Sequence, residues 1–173
     1  MIAADPSTWT LPALLAARVA ETPHAMAFMV EGEKGTWSGV TWSEFGASVA
    51  NLREALHAAG LRPGDRLAIA MPVGLDWETL HHAAVGLGAV VVGLDAHDRH
   101  DRLADVMRQA GIAVVVTSDA GVAALAQSLA LPSLRRVVLT GAASSAAAAS
   151  SAADTVACTW ASLMAMPRAE VPE

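Results

Sequence analysis

Apolar residues recur at helical spacing from Leu11 to Glu21 (LPALLAARVAE). Thr10 stands ready to cap this run, and Pro12 sits in the first turn, where proline is tolerated. Thr22-Pro23 stops it. Ala25 to Glu31 (AMAFMVE) reads as a strand, Gly32 to Gly39 as a polar turn, and Val40-Thr41-Trp42 as renewed extended structure. The two runs predict a hairpin. Thr41-x-x-Glu44 is a capping box that opens a helix from about Ser43 to Ala59, closed at Gly60. After the turn Pro63-Gly64-Asp65 comes the strand Arg66 to Met71 (RLAIAM).

From there the pattern alternates. Leu75 to Leu87 is helical, Ala89 to Leu94 (AVVVGL) is a continuous apolar strand, and His100 to Ala110 is a helix ended by Gly111. Ile112 to Thr117 (IAVVVT) is a strand, Asp119 to Leu131 a helix with Ser118 or Asp119 as cap, and Arg136 to Thr140 a last strand. Strands that are apolar throughout, alternating with helices, indicate an α/β fold. The expected architecture has three layers: a mainly parallel sheet with helices on both faces, plus the N-terminal hairpin. Residues 141–154 (GAASSAAAASSAAD) are of low complexity and read as a disordered linker or a weak helix. Thr159 to Met166 is a short amphipathic piece, followed by a polar tail.

Composition sharpens this picture. Of 173 residues, 54% are hydrophobic and 16% charged, against about 25% charged in an ordinary globular chain. Either the sheet is buried on both faces or a surface is kept for a partner. The net charge of −6 argues against nucleic acid and against an anionic membrane surface as partners. Cys158 is the single cysteine, which excludes an internal disulfide and a cysteine-based zinc site. It reads as an inert thiol. The longest apolar run, Ala83 to Leu94, is shorter than the about 20 residues a bilayer span needs. No signal peptide is legible, so a cytoplasmic location is expected.

Candidate chemistry is sparse. A dinucleotide loop needs glycines between a strand and the helix that follows it. Gly86 and Gly88 stand after a helix and before a strand, and Gly93 lacks glycine neighbours, so these read as a helix end and close packing. His97 and His100, three apart with Asp95, Asp98 and Asp101 nearby, have metal-ligand spacing. Helix initiation and ion pairing with Arg99 and Arg102 explain the same residues. The adjacent His81 and His82 are expected on different sides of a helix, one inward and one toward solvent, which argues against a shared metal. The serines at 144–151 have no histidine or acid beside them, and neither G-x-S-x-G nor G-x-x-x-x-G-K-[ST] occurs. The five tryptophans (9, 37, 42, 77 and 160) are scattered and read as core or rim. No catalytic, cofactor-binding or metal residue is assigned.

The order of the pieces resembles one family. Gly60 to Met71 (GLRPGDRLAIAM) is similar to the G-x-x-x-G-D-R-V-A-I segment of adenylate-forming enzymes: acyl-CoA synthetases, aryl-CoA ligases, luciferases and peptide-synthetase adenylation domains. Val40 to Phe45 (VTWSEF) resembles their first core motif, L-T-Y-x-E-L. Val85 to Asp95 (VGLGAVVVGLD) resembles the second, L-K-A-G-x-A-Y-V-P-I-D, with Gly88 and Asp95 in place and Gly93 where proline is usual. Leu14 to Ala27 is similar to the opening helix and strand entry, and Gly74 to Trp77 to the S-x-E-W that starts the next helix. The matches are collinear over about residues 11 to 140.

The resemblance implies residues 1–140 as the N-terminal subdomain of such an enzyme, with 141–173 a low-complexity linker and short amphipathic tail. For the full enzyme it implies ATP, Mg²⁺ and either coenzyme A or a phosphopantetheine carrier, with carboxylate activation through an acyl-adenylate and then thioester formation. The Ser/Thr/Gly-rich phosphate loop ending in P-K-G, the later acidic motifs and the mobile lysine are not in this sequence. No cofactor is therefore expected on these residues themselves. The chain is expected to be inactive alone, as a fragment or as a naturally short relative. A binding or assembly module that retains the family fold is the rival reading. The expected partner is the rest of the adenylating domain or another protein, held through an apolar face, or a second copy in a homodimer.

Overall fold

The computed structural model describes residues 9–140 and 156–167. The low-complexity run at 141–154 and the end of the polar tail lie outside the described residues. Helix α1 (Leu11–Glu21) begins where Thr10 Oγ1 accepts the Ala13 amide at 3.3 Å. Strands β1 (Met26–Glu31) and β2 (Trp37–Thr41) pair antiparallel, with Glu31 opposite Trp37. Trp42, expected as extended, is instead the first residue of α2 (Trp42–Ala58). Both halves of the capping box form there. Thr41 Oγ1 accepts the Glu44 amide, and the Glu44 carboxylate accepts the Thr41 amide at 2.8 Å. Those bonds satisfy two amides that an uncapped helix start would leave orphaned.

Five parallel strands follow, in the order β4-β3-β5-β6-β7. They are β3 (Arg66–Ala70), β4 (Val90–Gly93), β5 (Val114–Thr117), β6 (Arg136–Leu139) and β7 (Val156–Thr159). Between and after them run α3 (Leu75–Gly86), α4 (His100–Ala110), α5 (Ala120–Ser128) and α6 (Trp160–Met164). Alternate residues of each strand point to opposite faces. Leu67, Ile69, Val114, Val116 and Val138 join Phe45, Leu56 and Leu80 of α2 and α3 on one side. Ala68, Ala70, Val115 and Val137 join Leu103, Met107 and Val122 of α4 and α5 on the other. Two cores share one sheet, and this is why consecutive strand residues, facing opposite sides, are mostly apolar. The three-layer α/β reading and the separate hairpin are what the structure shows.

Three features differ from the sequence reading. The run around β4 predicts a buried strand, yet among the described residues β4 is an edge strand bonded only to β3, and Val90 is 51% exposed. Its apolar run reflects cover on the two faces, since Val91 packs on the first core and Val92 on the second. A side-chain pattern carries no information about which strand lies laterally beside it. Second, Arg136–Leu139 is not the last strand. β7 pairs with it in parallel, Val138 opposite Cys158, and α6 then buries Leu163 completely in the first core. Third, no aspartate side chain caps α4. Its cap position is Arg99, with no side-chain hydrogen bond, and Asp101 in the first turn supplies only favourable charge.

The G-D-R turn is a structural latch. Gly64 donates to the Gly88 carbonyl at 2.9 Å and Val90 to the Asp65 carbonyl at 2.8 Å, docking the turn before β3 on the turn before β4. Gly88 has φ +74°, and a Cβ there would lie 3.4 Å from Pro63, so both backbone and space favour glycine. The Asp65 carboxylate accepts the Arg62 amide at 2.7 Å and pairs with Arg135, tying the start of β3 to that of β6.

Candidate functional site

Strand order decides where a crevice opens. The chain leaves β3 through α3 on one face to reach β4, then through α4 on the other face to reach β5, which lies on the opposite side of β3. Right-handed crossovers in opposite directions must use opposite faces. The loops after β3 and β5 therefore part, and the gap at their carboxyl ends is where open α/β sheets bind ligands. A cleft of about 510 Å³ lies there, lined by Met71 to Asp76 from the β3–α3 loop, Ser118 after β5, Thr140 after β6 and Trp160 of α6, with Val30 of the hairpin.

The floor is fixed by buried Thr117. Its hydroxyl donates to the Ala70 carbonyl at 2.8 Å and accepts the Asp119 amide at 3.0 Å, joining the ends of β3 and β5. Asp119 then caps α5 by accepting the Val122 amide at 2.9 Å. The walls are mostly apolar. Among the described lining residues there is no lysine or arginine, and Asp76 contributes an acid. α3 begins at Gly74 without a side-chain cap, and Asp76 and Glu78 already occupy its positive end. A triphosphate needs cations and free amides, so these residues do not fit one on their own.

The remaining candidates are placed as follows. Gly86 ends α3, Gly88 is the turn glycine above, and Gly93 ends β4 near Trp77. None forms a phosphate loop. His97 and His100 are exposed, and the acids around them are taken. Asp95 accepts the His97 amide at 2.9 Å, Asp98 pairs with Arg102 at 3.3 Å, and Asp101 pairs with Arg99. The Arg99 guanidinium, followed by the Arg102 amide, holds the Asp101 carboxyl below the usual aspartate range. No three-ligand cluster includes His97 or His100 among the described residues. Cys158 is half-buried on β7. Trp9 and Trp37 are exposed, and Trp42, Trp77 and Trp160 border the first core.

His81 and His82 correct the sequence reading. They do not face opposite ways: both are partly buried, with ring centroids 5.5 Å apart. Each Nδ1 lies 3.9 Å from Glu78 Oε2, one helical turn back. Helix side chains lean toward the amino end, so neighbours whose Cβ atoms diverge still converge on a residue three and four positions earlier. Glu78, absent from the sequence candidates, completes the group. The signal was the E-x-x-H-H spacing.

Comparison with known proteins places this geometry. The acetyl-coenzyme A synthetase of Cupriavidus taiwanensis is 34% identical over 98 residues, covering 54% of this chain and 14% of that protein. The chain thus spans about one seventh of the length of this and similar acetyl-coenzyme A synthetases. The acetoacetyl-CoA synthetase structure from Streptomyces lividans superposes with TM-score 0.73 at 23% identity, over 93% of this chain and 25% of that one. A Mycobacterium tuberculosis fatty acyl CoA synthetase gives TM-score 0.72 at 20% identity, over 97% and 30%. These structures share the fold. The family described as AMP-binding enzyme matches residues 15–168, nearly the whole described chain, and the protein belongs to that family.

Proposed function

We propose that this chain is the amino-terminal part of an AMP-forming acid–thiol ligase of the acyl-CoA synthetase kind. In such an enzyme it supplies the outer sheet and one wall of a cleft. The observation that carries the reading is the family match over residues 15–168, on a chain whose switch-point crevice is mostly apolar and, among its described lining residues, has no lysine or arginine. ATP and Mg²⁺ would be gripped by the rest of the large domain, and coenzyme A or a carrier's phosphopantetheine would take the acyl group. The chain alone makes no acyl-adenylate. Carboxylate-dependent ATP–pyrophosphate exchange should be at background for the pure 173-residue protein. Exchange above background would overturn that statement.

A second reading, a non-catalytic binding or assembly module, is favoured by one observation. Met26, Met29 and Trp37 are each more than half exposed on the hairpin, an apolar stripe suited to a partner. Reading the gene past Glu173 separates the two. An open frame running into a Ser/Thr/Gly-rich loop supports the ligase part, and a stop codon supports the module.

A further inference from the structure

We propose that Glu78, His81 and His82 form a site for a divalent transition-metal ion of zinc-like character, separate from the switch-point crevice. One ligand atom from each lies within 4.8 Å of the other two. The residues sit at i, i+3 and i+4 of α3, so a single rigid helix holds the set. Two imidazoles and a carboxylate are a donor set that zinc accepts, with positions left for water.

Two details point to an ion over ordinary packing. His81 Nδ1 is buried and has no hydrogen-bond partner, and a buried nitrogen left unsatisfied needs an explanation such as a bound ion. His82 Nδ1 lies 3.0 Å from the Glu78 carbonyl. A carbonyl only accepts, so Nδ1 donates in that bond and Nε2 is the nitrogen left to face an ion. The surroundings hold the rings. His82 stands edge-on to Phe45 at 5.2 Å, and His81 packs on Trp77 at 5.2 Å. Arg53 lines the same groove as His82 and is the cation that opposes a dication there. The Glu78 Oε2–His81 Nδ1 separation of 3.9 Å, in a set whose ligand atoms lie within 4.8 Å of one another, exceeds the roughly 3.4 Å between ligands of a tetrahedral zinc at about 2.0–2.1 Å. Small side-chain rotations close the set.

The test is zinc titration of the intact protein by calorimetry, with cobalt(II) absorption as the spectroscopic readout. One ion per chain is expected. His81→Gln and His82→Gln should each weaken zinc more than about 10-fold, while His97→Gln with His100→Gln leaves affinity unchanged. In the unmodified protein, substoichiometric cobalt(II) should broaden the imidazole NMR signals of His81 and His82 before those of the other histidines. This measurement stands even if a variant misfolds. Absence of zinc binding, affinity indifferent to His81 and His82, or broadening that begins at His97 or His100 would each overturn the site.

Discussion

Thr41 and Glu44 show how much one local motif decides. The threonine ends the hairpin and begins α2 in a single residue, because its own amide is taken by Glu44 and its hydroxyl receives the Glu44 amide. Thr41→Ala removes the side-chain half and should cost about 1 kcal/mol, read as a lowered urea midpoint with unchanged slope. The same box is acid-sensitive. The backbone hydrogen bond from Thr41, and then its hydroxyl, hold the Glu44 carboxyl below the usual glutamate range. Its folded value is lowered, so its contribution is present above the ordinary value of about 4.3. It is lost as pH falls from there through the lowered folded value. In Thr41→Ala the midpoint should fall less steeply over that window than in the parent.

At the scale of elements, helices were easier to read than strands. α1 and α4 begin and end where periodicity, Thr10 and Gly111 put them. Stop signals are local, and a 3.6-residue repeat shows over eleven residues. The existence of β3 to β6 was legible too, since buried parallel strands are runs of valine, alanine and isoleucine. Lateral position was not: β4 and β5 look alike in sequence, yet β4 is an edge strand and β5 a central one. β7 was missed because four residues following an alanine-serine tract carry no pattern of their own. Their strand state comes from β6. The crevice was not legible at all, because it arises from strand order. The histidine pair was misread by counting Cβ directions and ignoring how the side chains lean. If β7 and α6 complete the first core, Leu163→Ala should cost about 2–5 kcal/mol, comparable to Leu80→Ala, by chemical denaturation. A cost below 0.5 kcal/mol would show the two elements to be loosely attached.

For the whole molecule, the outer face of the hairpin is where association is expected. Met29 stands opposite Gly39, and a Cβ on Gly39 would meet the sulfurs of Met26 and Met29. The two methionines and Trp37 therefore form one stripe facing away from Phe28 and Val40, which pack on the core. With a charged content of only 16%, the rest of the surface does little to oppose self-contact. The protein should form dimers at high concentration in sedimentation equilibrium. Met29→Lys with Trp37→Lys should return it to monomer without changing its thermal midpoint by more than a few degrees. A parent that stays monomeric throughout would show the stripe to be inert.

The order β4-β3-β5-β6-β7 also bears on how a ribosome could deliver this chain. β3 emerges first, β4 settles on one flank, and β5, β6 and β7 are laid successively on the other. No strand has to be wedged between two that are already joined. A polypeptide halted at any strand boundary would hold an unbroken ribbon, ready for the next addition at its growing flank.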